Sequence, residues 1–161
     1  MTPEHTECIK KLKEIGRHYG FHSADKTIGL KYHLANIDVA WCIDCSGKKG
    51  LTKILSGERC RCPKCKGIKA VYLPVVAFEV ACSEKEKNLR GSLMSLQLIN
   101  ASAGIIVLAG EAKERKSYVQ KLIARYSYGR LRVWSKKDVD GLYQEIDGRK
   151  GESLALLNSV L

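Results

Sequence analysis

The sequence contains no apolar run near the roughly 20 residues that a bilayer-spanning helix requires, which excludes a helical membrane protein. The opening stretch "MTPEHTECIKKLKEIG" is charged and periodic and lacks a signal-peptide core, so the expected location is the cytoplasm. There are no internal repeats and no low-complexity stretches, and the 161 residues amount to one domain with room for a modest insertion. Acidic residues are scarce, 17 Asp and Glu against 28 Lys and Arg, which leaves a net charge of +11. The excess is spread along the chain rather than held in a tail, so the folded surface itself should be positive. Such a charge suits a nucleic-acid partner, but by itself it is equally compatible with solubility alone.

What the chain does have is an uneven distribution of cysteine. Five of its seven cysteines crowd between Cys42 and Cys65. Without a signal-peptide core, a secreted disulfide scaffold is not expected. In "CIDCSGKKGLTKILSGERCRCPKCKG", Cys42-x2-Cys45 is followed after sixteen residues by Cys62-x2-Cys65, a four-cysteine zinc spacing. Each Cys-x-x-Cys turn aims two thiolates at one ion, and two turns close a tetrahedral shell with no open position. The expected Zn²⁺ is therefore structural, and it would supply the folding energy of a segment too short for its own core. Cys60 lies outside the knuckle spacing. Redox-active thiols or a pair of disulfides are the alternatives. The same segment carries Lys48, Lys49, Lys53, Arg59, Arg61, Lys64 and Lys66, which zinc would hold toward an anion.

The remaining periodicities predict an α/β domain. "CIKKLKEIGRHYG" sets Cys8, Leu12, Ile15 and Tyr19 on one helical face, with Gly20 as the stop. "FHSADK" is a short strand or turn; "LANIDVAWC", "VYLPVVAFEV", "AGIIVLA" and "RLRVW" read as strands. Helices are expected over "KEKNLRGSLMSLQLINAS", with Leu89, Leu93 and Leu96 on the sheet, and over "EAKERKSYVQKLIARYS", with Val119, Leu122, Ile123 and Tyr126 inward. A last helix, "SKKDVDGLYQEI", starts at Ser135 as N-cap. This order gives a mixed sheet sandwiched by helices. The apolar tail "SLALLNSVL" is a packed helix or a subunit contact. His5, His18, His22 and His33 show no metal spacing and are read as surface residues; Trp41 and Trp134 are read as core, and Gln97 as packed or solvated.

Two strand positions break the apolar pattern: Asp38 in "NIDVAW" and Glu79 in "VVAFEV". An ionised carboxylate in a core strand costs several kcal/mol unless it is paired or bound to a metal. If the two strands are neighbours, joined by the zinc insertion, Asp38 and Glu79 meet at one edge of the sheet. Like charges brought together favour a shared proton or a divalent cation. Mg²⁺ binds through one or two carboxylates plus phosphate oxygens and water. With a basic surface, that points to phosphodiester hydrolysis. The bland alternative is that both are strand-end charges.

The order of helix, Asp-bearing strand, strand ending hydrophobic-Glu-hydrophobic, helix and strand resembles the PD-(D/E)XK, or restriction-endonuclease-like, nucleases. The resemblance rests on "IDVAW", "PVVAFEV", "EKNLRGSLMSLQL" and "RVWSKKDVDGLYQEI". It implies one nuclease-like domain over residues 1–161 with a zinc ribbon inserted at 42–67. It further implies a DNA endonuclease with Mg²⁺ held by Asp38 and Glu79, assisted by a carboxylate of the first helix, for which Glu14 is the candidate and Glu7 and Asp25 are rivals. A homodimer is expected, because cutting both strands of a duplex needs two sites. The family pattern has Lys, Glu or Gln two residues after the strand Glu, where this chain has Ala81. Residues 79 and 81 share a strand face, so a Lys at 81 could orient the attacking water and alanine cannot. Three readings follow: Lys87, or else Lys85, reaches back from the next helix; position 81 was substituted to inactivate the protein; or the domain binds DNA without cutting it.

Overall fold

A computed structural model describes residues 2–25, 37–45, 72–99, 101–125 and 129–148. Among the described residues, five strands form one sheet in the order β1-β2-β3-β4-β5. The elements run α1 (Pro3–His18), β1 (His22–Asp25), β2 (Val39–Asp44), β3 (Tyr72–Ala81), α2 (Glu86–Leu98), β4 (Ala103–Leu108), a 3₁₀ segment (Gly110–Arg115), α3 (Lys116–Arg125), β5 (Leu131–Ser135) and α4 (Lys136–Gly148). The first three strands are antiparallel, and β3, β4 and β5 are parallel. The mixed sheet has helices on both faces, as the pattern predicts.

Strand alternation divides the core into two layers. On one face Ala77, Ala81, Ile106 and Leu108 pack against Leu89, Leu93 and Leu96 of α2 and Val119 and Leu122 of α3. On the other, Val39, Trp41, Phe78, Val80, Ile105 and Val107 pack against Cys8, Leu12 and Ile15 of α1 and Val139 and Ile146 of α4. Because β4 and residues 77–81 of β3 are covered on both faces, their sequences read as nearly continuous apolar runs. Glu79 is the exception within β3.

Local chemistry sets the element ends. Thr2 caps α1, its Oγ1 accepting from His5 N at 3.2 Å, and Gly20 (φ +79°) turns the chain out of it. Asp138 accepts from the Ser135 backbone N–H (2.6 Å) and hydroxyl (2.7 Å), the returning half of a capping box at the start of α4. Cys42 lies opposite Pro74, and the β2–β3 ladder shifts register there, because proline has no N–H to give. Three details differ from the sequence reading. "EAKER" forms a 3₁₀ turn ahead of α3, Tyr19 falls beyond the helix and is exposed, and His5 is buried. Tyr126 and the tail 153–161 lie outside the described residues.

Trp41 and Phe78 lie in the core, with ring centroids 4.6 Å apart, and Trp134 packs against it 5.9 Å from Phe78. The Trp41 indole N–H donates to Leu12 O at 2.8 Å. Lys11 of α1 bonds both Glu7 and Asp140 of α4, and Lys136 bonds Asp140 at 2.7 Å. The hydrogen bond from Lys11 lowers the Glu7 carboxyl. Burial pushes Asp140 up, but its bonds to the two ammonium groups outweigh it and leave this carboxyl lowered as well. Depressed folded values mean a contribution present above the unfolded carboxylate range, near pH 4, and lost as pH falls through the folded values. Lys11→Met is therefore expected to lower the thermal midpoint at pH 7 but not at pH 2.5. The drop should be small, because solvent screens pairs as exposed as these. An equal loss at both pH values would assign the effect to packing.

Candidate active site

The antiparallel ladder between β2 and β3 pairs Val39 with Phe78 and Ala40 with Ala77. One step further along that register, Asp38 falls opposite Glu79, where cross-strand Cβ atoms come within about 4.5–5.5 Å. Asp38 just precedes the strand, and its carboxylate takes over the ladder: Oδ2 accepts from the Val80 backbone N–H at 2.9 Å. Both carboxylates are buried, Asp38 at 3% and Glu79 at 8% exposure. The two positions singled out by sequence are thus brought to the same end of the same strand pair.

Each carboxylate is held from a different face. Glu79 lies between Ala77 and Ala81 in strand alternation, and Ser92 of α2 donates to its Oε2 at 3.3 Å. Asp38 meets α1, with His5 Nε2 at 3.3 Å from Oδ2. No metal spacing marks His5 in the sequence, so it was missed as a site residue. Its signal is position: it sits one turn before Cys8 on the apolar stripe, where a histidine needs a partner.

The first helix contributes its N-terminal end here. Glu14 is nine residues beyond His5, about 13.5 Å along the axis, and its Oε2 accepts from Tyr143 Oη at 2.6 Å. Glu7 is engaged by Lys11. Glu4 is the carboxylate on the side of the β3 terminus: a Cβ placed on Gly110 would stand 3.2 Å from Glu4 Oε2 and 2.8 Å from Cys82 O. Burial pushes the Cys82 thiol up, and the nearby Glu4, Glu84 and Asp38 push it the same way, against a hydrogen bond to Thr2. For Asp25, only its backbone pairing with Val39 is described.

Ala81 is 1% exposed and packed within the α2–α3 layer, its carbonyl accepting from Ala109 N at 2.8 Å. Lys85 is exposed and stands at the N-terminal boundary of α2, with no side-chain bond to the helix end. Lys87 is also exposed and lies five residues from Ser92, about 140° around the helix. Asn88, one turn before Ser92, shares its stripe. Gln97 accepts from the Arg130 guanidinium at 3.4 Å through its side chain and at 2.7 Å through its carbonyl, so it closes the end of α2.

Of the cysteine cluster, Cys42 and Cys45 are buried at the far end of β2 and form no disulfide with another described cysteine. Cys60, Cys62, Cys65 and the insertion's basic residues lie outside the described residues. Among the described residues, no three His, Cys, Asp or Glu gather into a group that could hold a metal, and no helix is long and apolar enough to cross a membrane. No protein-family model, curated protein or solved structure matches the chain.

Proposed function

We propose that this protein is a Mg²⁺-dependent DNA endonuclease of the PD-(D/E)XK kind, with Asp38 and Glu79 as its metal-holding carboxylates. The observation that carries the reading is the burial of two carboxylates where β2 and β3 meet, Glu79 next to Phe78 in β3 and Asp38 just before Val39 of β2, with the Asp38 carboxylate bonded to the Val80 N–H. The donor set fits a hard cation that takes two carboxylates and draws its other oxygens from phosphate and water. When bound, Mg²⁺ supplies activation of water and neutralisation of charge at the scissile phosphate. The chain's part is orientation: the Val80 N–H and His5 fix Asp38, and Ser92 fixes Glu79.

A second reading, a nuclease-like DNA-binding protein without catalysis, is favoured by Ala81. Its 1% exposure among apolar neighbours leaves β3 with no cation beside Glu79. Incubation of plasmid, branched and single-stranded DNA with the protein in Mg²⁺, Mn²⁺ or EDTA separates the two. Cleavage in either metal and none in EDTA is expected of the nuclease; metal-independent binding without cleavage selects the second. Lys85→Ala and Lys87→Ala, assayed side by side, test whether either lysine serves the water.

The Cys-x-x-Cys spacing supports a structural zinc ribbon over 42–67, with Cys42, Cys45, Cys62 and Cys65 as ligands. Elemental analysis is expected to find one zinc per chain, released by Cys62→Ser and retained in Cys60→Ser. Metal-free protein with an unchanged melting curve would remove the ribbon. Sedimentation analysis with and without duplex tests the proposed homodimer.

A further inference from the structure

The two faces of the sheet differ in charge. The α1–α4 side carries six basic residues against seven acidic ones, whereas α2, the 3₁₀ segment and α3 carry seven basic against three acidic. Most of the chain's +11 belongs to residues outside the described set, which itself carries 16 basic against 15 acidic side chains; among the described residues, the positive side of the sheet is the one where Ser92 meets Glu79.

Within that face the basic residues align. Arg90 of α2 bonds Tyr118 of α3 (Nε to Oη, 2.6 Å), and Arg115 lies 3.6 Å from Glu86. These contacts tie the two helices into one surface. At 100° per residue, Lys121 and Arg125 follow Tyr118 at i+3 and i+7, on the flank turned toward α2. All of Arg90, Lys121 and Arg125 are exposed. On α1 and α4 the comparable cations are neutralised locally, Lys11 and Lys136 by Glu7 and Asp140.

We infer that the seam between α2 and α3 is the surface on which duplex DNA lies, its phosphates running along Arg90, Lys121 and Arg125 toward Glu79. The inference rests on the nuclease reading for the nature of the polymer and adds the face of approach. Duplex DNA is favoured over an anionic membrane because the seam's exposed cations lie on the side of the buried Glu79 carboxylate, and phosphate contacts are what position a duplex.

The test compares two variants of equal charge change in the full-length protein. One carries Lys121→Gln and Arg125→Gln on α3. The other carries Lys10→Gln on α1 and Lys137→Gln on α4; all four side chains are exposed. Binding to an arbitrary duplex of about 30 base pairs is measured by fluorescence anisotropy over a salt series in EDTA, since each phosphate contact contributes about 0.9 to the salt slope. The α3 variant is expected to bind at least about tenfold more weakly near 0.1 M salt, with a slope reduced by about 2. The α1–α4 variant is expected to change less than about twofold. Equal weakening of both, or greater weakening of the second, overturns the seam while leaving DNA binding in place. Wild type that fails to bind duplex at low salt overturns the nuclease reading along with it. Equal affinity for phosphatidylserine vesicles, lost in the same α3 variant, overturns the assignment to DNA.

Discussion

Asp38→Asn and Glu79→Gln are each expected to slow Mg²⁺-dependent DNA cleavage by about 10³-fold, the scale seen when one preorganised charge-stabilising group is removed. The amides are chosen over alanine for a structural reason. Asp38 Oδ2 satisfies the buried Val80 N–H, and Asp38→Ala would leave that donor unpaired at a cost of about 1–3 kcal/mol. Asparagine keeps an acceptor at that atom and removes the charge. Glutamine likewise keeps an acceptor for Ser92 at position 79. Both variants should therefore melt close to wild type and bind duplex as well or better, because a negative charge near phosphate has gone. Isothermal titration with Mn²⁺ gives a readout independent of turnover, and both variants should lose the binding isotherm. Full cleavage by either amide would show the carboxylates to be strand-end charges with no part in the chemistry.

Gly16→Ala is expected to destabilise the fold by about 2 kcal/mol net, lowering the thermal midpoint by about 4–8 °C. Local propensity predicts the opposite sign, since alanine in a helix interior gains about 0.5–1 kcal/mol over glycine. The tertiary term wins here. A Cβ at position 16 would overlap Ser23 Oγ and stand 2.5 Å from the Trp41 ring, which is itself held by its bond to Leu12 O. The indole cannot yield without disturbing the Trp41–Phe78 contact at the centre of that layer. Gly91→Ala is the matched control: a Cβ added there, in α2, would meet nothing within 4 Å, so it should raise stability by the propensity term alone. If both substitutions stabilise, the packing of α1 on β1 and β2 is looser than these distances require.

Those two glycines show what a linear reading can carry. Both stand inside helical periodicities and look alike in sequence. Only the fold puts one against an indole and leaves the other in open space. The same holds at the site. Asp38 and Glu79 were legible because a charge in an apolar strand run is a local anomaly, visible without knowing its neighbours. Leu89, Leu93 and Leu96, and the Ser135 start of α4, were legible for the same reason, since periodicity and caps are properties of adjacent residues. His5 and Ser92 were not, because their meaning lies in contacts made across 33 and 13 positions of the chain.

Spacing along single segments was enough to specify the α/β order of elements, the main residues of the two apolar layers and the pair of anomalous carboxylates. The pairing of β2 with β3 as antiparallel neighbours is a different kind of fact, as is the capping of the ladder at Val80 by Asp38. So is the way α1 offers His5 to Asp38 while Glu14 turns to Tyr143. The grouping of charge into a basic α2–α3 face also emerges only on folding. The physical reason is that strand pairing and helix docking are fixed by how whole faces bury one another, and no single segment contains that information.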